Sequence, residues 1–470
     1  MKKIVILFLA FTASIFSQTP CNNGFAGQYP CNGLDLLSHI PLATFGATRG
    51  NDSWGWTDPQ TGKEYAIFGN THNAAFIDIS DPVNPIYLGK LDAHGSANTW
   101  RDIKVYNNYA FIVSEASGHG MQVFDLTRLR NVANPPENFT EDAHFNGFGG
   151  AHNIVINEDT GYAYGVGADT YNGGPHFVNI QDPLNPVDEG GYSDQGYSHD
   201  AQVIIYNGPD TDHTGKEIYI GANESSVVII DVTDKSNPIN ISEAFYSSTG
   251  YTHQIWLDEN QTFLYCGDET DESNFGINTR NIVFDLTDLD NPVLKMEYFG
   301  TTSAIDHNNY VKGNKLYIAN YAAGIRVIDI SDVENQNMTE IAFFDSHPEN
   351  NAVNFDGVWN VYPFFESGNI MISDRDRGVF IVRDSNSPLA TNNNEINAVS
   401  LYPNPTKDLL SISIDSTINT INVYDVLGKK VMSLNQLYVA NNYELNVESL
   451  HKGIYFIKVN NLRAQKFVKQ

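Results

Sequence analysis

The sequence predicts an all-β protein: a seven-bladed β-propeller closed by an N-terminal strand, followed by a smaller β domain. Three observations carry that expectation. One strand-and-turn phrase recurs along most of the chain. Each copy is flanked by further strand-like segments, and helical periodicity is absent. The 470 residues are 41% hydrophobic and 12% aromatic, enough for a core, while 37 Gly and 19 Pro punctuate the strands.

The phrase reads FIDISDPVNP, VFDLTRLRN, FVNIQDPLNP, IIDVTDKSNP, VFDLTDLDNP and VIDISDVEN. Its marker is Asp78, Asp125, Asn179, Asp231, Asp285 and Asp329, at steps of 47, 54, 52, 54 and 44 residues. GVFIVRD at 378–384 is a seventh, weaker copy. Two strands precede each copy, as QIWLD and FLYCGDE precede VFDLTDLDNP, and a fourth follows the turn. Four strands per period is the pattern of a propeller blade. Residues 35–46, DLLSHIPLATFG, resemble a fourth strand with no first three before it, and the last copy lacks a fourth. Pairing the two closes the circle and leaves no open sheet edge. The marker Asp is read as a turn residue whose carboxylate accepts backbone N–H groups.

The remaining segments fall at the two ends. Residues 1–17 read as a secretory signal, with Lys2 and Lys3 before an apolar run and a small Ser17 at the cut. That run is short for a membrane span and no other segment approaches one, so no transmembrane segment is expected in the mature chain. Export permits disulfides, and Cys21 and Cys31 enclose a Gly-, Asn- and Pro-containing loop where a bridge is predicted. Cys266, in a strand, is read as a buried free thiol. The propeller is assigned to 18–385, a polar linker to 386–399, and a domain of short strands to 400–470. The charge of −29, from 27 Lys+Arg against 56 Asp+Glu, repels phosphate backbones and argues against nucleic acid as a partner.

The chemistry-bearing residues follow the repeat. His152, His199, His253 and His307 recur at steps of 47, 54 and 54, each at the start of a first strand. Arg101 takes the equivalent place in the second repeat, Trp54-Gly55-Trp56 in the first and Asp356-Gly357 in the last. Strand alternation puts the loops joining second to third strands on the same face, adding Glu115, His119, Asp169, Glu224, Asp268, Glu269 and Asp374. The four histidines are the candidate metal ligands; Arg101, Glu115, His119, Asp169 and Glu224 are candidate ligand-binding residues. Imidazole with carboxylate is the donor set of a divalent metal, Zn, Mn or Ca being the cofactors considered. The same groups serve general acid–base chemistry. Histidines inherited by repetition can also simply bond the neighbouring blade, and these three readings stay open. Acidic turns at Asp58, Asp210 and Asp268 read either as Ca²⁺ ligands or as solvated turns. Trp54, Trp56 and Trp100 read either as sugar-stacking platforms or as core.

Two stretches resemble known families. Tyr402-Pro403-Asn404-Pro405, the run from Val423 to Gly428, the run from Gly453 to Val459 and the basic end at Lys466 and Lys469 resemble the C-terminal sorting domain of type IX secretion cargo of the Bacteroidetes. That resemblance implies a small β-sandwich read by the type IX machinery, hence a secreted or outer-membrane surface location reached via the periplasm. CNNGFAGQYPCNGLDLLSHI, SWGWTDPQTGKEYAIFG and WRDIKVYNNYAFIVSEASGHGMQVFDLTRL resemble the secreted choice-of-anchor B family, whose repeats are LVIVD-like. It implies fold and location and no activity.

The function expected from all this is binding of an extracellular ligand, glycan or protein, at a His- and acid-lined channel mouth, with or without a divalent metal. Two alternatives are kept: a metal-assisted polysaccharide lyase or hydrolase, and a purely structural or adhesive surface protein. No GxSxG elbow, P-loop or dinucleotide fingerprint is present, so whether the protein is an enzyme stays open.

Overall fold

The computed structural model describes residues 18–386, and 400–470 except 415–416, 426–428, 435–436, 438, 441 and 461–464. The signal read at 1–17 and nearly all of the linker read at 386–399 lie outside them. The chain forms two compact units, divided between Pro388 and Leu389.

Among the described residues, the first unit is nearly all-β, with seven sheets that are antiparallel but for one pairing in the first. Sheet I starts at Gly50–Thr57 and runs outward through Glu64–Asn70 and Asn73–Asp78 to Ile86–Asp92. Sheets II to VII start at Arg101–Tyr106, Asn153–Asn157, Asp200–Ile205, Thr252–Leu257, Asn309–Lys312 and Val358–Tyr362. Each starting strand packs against the starting strand of the next sheet, and Val358–Tyr362 packs back against Gly50–Thr57. Apolar residues of the second and third strands fill the spaces between sheets. Ile218, Ile220 and Ile229 of sheet IV, for instance, meet Leu264, Cys266 and Phe284 of sheet V. Cys266 is a buried free thiol there.

The repeated marker does the same work throughout. The side chains of Asp78, Asp125, Asn179, Asp231, Asp285 and Asp329 each accept the backbone N–H two residues on, at 2.9–3.1 Å. Asp384 does so for Asn386 in the seventh sheet, at 2.9 Å. A carboxylate or amide that closes such a turn marks the end of the third strand, except in sheet VI, where the strand runs on to Asp332.

The seventh sheet takes its fourth strand from the other end of the chain. Leu34–Pro41 runs antiparallel to Gly378–Asp384, with Leu34 opposite Asp384 and Pro41 opposite Gly378. Just before it, Tyr29–Asn32 pairs with the outer strand Asn337–Phe344 of sheet VI. The N-terminal segment thus ties the sixth sheet to the seventh. A disulfide between Cys21 and Cys31 holds the crossing, with Cα atoms 6.0 Å apart. Asp35 accepts the Cys21 N–H at 2.8 Å and the Ser385 hydroxyl at 2.6 Å. Closing a loop of this size constrains the unfolded chain, so Cys21→Ser with Cys31→Ser is expected to cost about 2–3 kcal/mol. Urea unfolding of the two proteins checks this; equal midpoints would show that the bridge stabilises nothing.

One feature departs from the simple repeat. Between the third and fourth strands of sheet II the chain makes a detour, and Glu137–Phe139 pairs in parallel with Ile86–Asp92 of sheet I. Gly89 permits this: its φ is +150°, and a Cβ there would stand 2.1 Å from the Glu137 carbonyl oxygen.

The second unit has a three-stranded sheet, Ser400–Tyr402, Leu409–Ser413 and Asn442–Asn446, and a four-stranded one, Lys430–Leu434, Ile421–Tyr424, Gly453–Val459 and Gln465–Lys469. Both contribute to one core that includes Leu410, Ile412, Leu445, Val423, Ile457 and Phe467.

Candidate metal centre

The histidines at the starts of the inner strands come together. Ring centroids of His152 and His199 lie 4.1 Å apart, those of His199 and His253 4.1 Å, and those of His253 and His307 4.2 Å. Trp359 continues the row 4.6 Å from His307. All five side chains are buried. Sequence reading placed Asp356-Gly357 at this position of sheet VII, whereas the structure places Trp359 there. A bulge between Val358 and Asn360 shifts the register by one residue, and a matching bulge between Thr252 and Gln254 accommodates His253.

Hydrogen bonds set the tautomers. His199 donates from Nδ1 to the His253 carbonyl at 3.0 Å, and His307 from Nδ1 to the Trp359 carbonyl at 2.6 Å. Each then keeps its Nε2 lone pair for a ligand. His152 Nδ1 is 2.6 Å from Glu115 Oε1. Glu269 approaches the row with Oε2 3.8 Å from His253 Nε2 and Oε1 3.7 Å from His307 Nε2. These separations are too long for hydrogen bonds. They suit donors sharing one cation, since ligands about 2.1 Å from a metal stand about 3 Å apart when adjacent and about 4 Å when opposed. Donor atoms of His253, Glu269 and His307 all lie within 4.8 Å of one another. The Tyr321 hydroxyl donates to Glu269 Oε1 at 2.8 Å and holds that carboxylate in place.

Burial dominates the electrostatics. It pushes His307 down to about 3 and His199 and His253 well below the usual imidazole value, so all three are neutral. Burial also pushes Glu269 up to about 7. Neutral imidazoles with an uncompensated carboxyl are the state from which a divalent cation displaces a single proton.

Arg101 and His119 engage each other. Arg101 donates from Nη1 to His119 Nε2 at 2.9 Å and from Nε to the Asn70 carbonyl at 3.2 Å. Burial lowers Arg101 to about 10; burial and then the Arg101 charge lower His119 to about 4. Arg101 lines a small cavity with His152, His199, His307 and Trp359. Asp169 is exposed and accepts the Gly149 N–H at 2.8 Å, and Glu224 is exposed in the tight turn before Ser226–Asp231. Neither has a described contact with the imidazoles. Tyr321 and Trp359 were not foreseen; the one available signal was Trp359-Asn360 echoing His152-Asn153 and His307-Asn308.

The acidic turns use their carboxylates internally. Asp58 receives two bonds from Arg130, at 2.7 and 2.9 Å. Burial raises its pKa, but the Arg130 and Thr61 hydrogen bonds outweigh that and bring it down to about 2. Asp210 accepts the N–H of Asp212 and of Leu289. Asp268 accepts those of Gly250 and Tyr251 and the Tyr246 hydroxyl.

One residue further along each inner strand lies a second polar layer: Asp52, Asp102, Asn153, Asp200, Gln254, Asn308 and Asn360, all buried. Asn308 and Asn360 donate to Asp52 at 3.0 and 2.5 Å, and Lys104 donates to Asp102 at 2.7 Å. Three carboxyl groups thus face one ammonium. Burial pushes Asp200 up to about 7, against the attraction of Lys104. The folded protein therefore holds a proton on Asp200 that the unfolded chain has released above about pH 4. Stability is fully present below that pH and is lost as pH rises towards 7. Asp200→Asn is expected to gain about 4 kcal/mol over the parent at pH 8 and little at pH 4. Urea unfolding at both values tests it; an equal difference at the two would show that Asp200 ionises freely.

A separate cavity lies away from the imidazole row. It measures about 400 Å³ and is lined by Trp54, Trp256, Tyr310, Tyr362, Phe364 and Lys104, with no imidazole.

Residues 97–118, 214–244 and 308–341 match the LVIVD repeat, and residues 400–470 match the secretion system C-terminal sorting domain. Among solved structures, the chain is similar to PorZ, an essential bacterial surface component of the type-IX secretion system of Porphyromonas gingivalis. The identity is 14% and the TM-score 0.44, over 87% of this chain and 58% of that one. It is also similar to a functionally unknown protein from Desulfotomaculum acetoxidans DSM 771, at 12% identity and TM-score 0.42, over 61% of this chain and 84% of that one. The chain therefore spans little more than half the length of PorZ. No curated protein sequence matches it. Among the described residues no helix is long and apolar enough to cross a membrane. The chain carries LVIVD repeats and a sorting domain that implies a type IX secretion system, which makes it an extracellular or cell-surface protein.

Proposed function

We propose that the first unit is a seven-bladed β-propeller of the choice-of-anchor B type, exported behind an N-terminal signal via the periplasm. In this reading residues 18–385 form the propeller, and its mouth binds an extracellular ligand through a divalent metal held by His253, Glu269 and His307. Support for the architecture is the return contact of the seventh inner strand to the first, with Leu34–Pro41 completing the seventh sheet. The observation that carries the function is the convergence of two neutral imidazoles and one carboxylate, with donor atoms within 4.8 Å. Two nitrogens and one oxygen suit Zn or Mn, whereas Ca²⁺ asks for an all-oxygen shell. Three protein ligands leave positions for an incoming oxygen of a glycan or a peptide carboxylate. Tyr321 and the Trp359 carbonyl orient the ligands.

The test is elemental analysis of the purified full chain. The parent is expected to hold one equivalent of zinc or manganese more than His253→Ala or His307→Ala. Folded variants that retain the metal of the parent would overturn the assignment.

A further inference from the structure

We propose that His94, Glu141 and His144 form a second divalent-metal site, which clips the segment leaving sheet I to the outer strand of sheet II. This site is separate from the row of buried imidazoles, and its argument does not depend on it. His94 follows the strand Ile86–Asp92, and His144 lies in the outer strand Ala143–Phe145 of sheet II, with Glu141 just before it.

The donors are already gathered. His94 Nδ1 is 3.1 Å from Glu141 Oε1. The two imidazole rings are stacked, with centroids 3.9 Å apart and planes 16° from parallel, so the rings must turn for both in-plane lone pairs to meet on one cation. One ligand atom from each of the three residues lies within 4.8 Å of the other two. The spacing of 3.1 Å is close to that of two adjacent ligands on one cation, about 3 Å for bonds of about 2.1 Å.

Two of the three donors are also oriented from behind. His144 Nε2 donates to the His119 carbonyl at 2.7 Å, which leaves Nδ1 as its lone-pair atom. Gly120 makes that approach feasible, since a Cβ there would stand 3.0 Å from the His144 Nε2. Gln122 donates from Nε2 to Glu141 Oε2 at 2.7 Å and to the Asp92 carbonyl at 3.1 Å, leaving Oε1 for the metal. Partners of this kind, bonded to the far side of each ligand, fix tautomer and ring plane in metal sites.

Two imidazoles and one carboxylate on one side of a cation make the arrangement that divalent transition metals occupy with open positions. The His94 and Glu141 side chains are 44% and 25% exposed, so water completes the shell. The site takes zinc or a neighbouring first-row ion.

The experiment is equilibrium dialysis of zinc against chelator-stripped full-length chains, comparing the parent with His94→Ala. His94 is exposed, so this variant keeps its fold. The parent is expected to bind one equivalent more than His94→Ala, whatever the buried imidazoles bind. Glu141→Gln should weaken that equivalent at least tenfold, and cobalt added to His253→Ala with His307→Ala should still give the visible bands of a His-ligated ion. Equal zinc stoichiometry in the parent and His94→Ala would overturn the proposal. If the parent binds one equivalent and His94→Ala none, this site stands and the buried one falls.

Discussion

A chain lacking residues 18–45 is expected to lose cooperative unfolding altogether. The deleted segment carries the strand Leu34–Pro41, which pairs along the whole of Gly378–Asp384. It buries Leu34, Leu37, Ile40, Leu42 and Phe45 against residues that include Phe380, Val382 and Phe68. Five such side chains are worth on the order of 10 kcal/mol at about 1.5–3 kcal/mol each. That equals the entire stability of a typical domain. The deletion also exposes the backbone edge of Gly378–Asp384, a template for aggregation. Losing the disulfide accounts for only about 2–3 kcal/mol of this, so the double serine variant is the control. Adding residues 18–45 as a separate peptide should restore the transition. Truncated protein that unfolds at the parent midpoint would show that the N-terminal strand closes nothing.

The second large effect concerns the imidazole row. His253→Ala or His307→Ala removes one of three ligands, and metal affinity is expected to fall at least 100-fold. Tyr321→Phe leaves the ligands and removes only the hydrogen bond that orients Glu269; a loss of about 10- to 100-fold is expected. Metal at 100 times its dissociation constant should stabilise the parent by about 2.7 kcal/mol. A chelator should abolish that gain in the parent, and His307→Ala should lack the part of it that this site supplies. Isothermal titration with zinc and thermal unfolding read both effects. Parent-like affinity in Tyr321→Phe and in His307→Ala together would mean that zinc binds elsewhere.

What the sequence made legible is what repeats. The marker Asp sits at one register in each period because each blade-sized unit ends its third strand with the same turn, and turn chemistry is local. The histidine row was legible for the same reason, since His152, His199, His253 and His307 keep step with the strands they open. Trp359 was not, because an indole carries none of the imidazole chemistry that marks the other positions. Tyr321 was not, because nothing local in Asn320-Tyr321-Ala322 distinguishes a tyrosine aimed at a carboxylate from one in the core. The detour through Glu137–Phe139 pairs with a different sheet, and that long-range choice has no local signature beyond Gly89. His94 and Glu141 stand 47 residues apart in irregular segments, and only folding brings them within 3.1 Å.

Anomalous diffraction from crystals of the full chain, collected on either side of the zinc edge after soaking in zinc, addresses the buried centre most directly. A peak bonded to His253 Nε2, His307 Nε2 and a Glu269 oxygen is the expected result. Zinc-soaked crystals with no peak between those three side chains would contradict it.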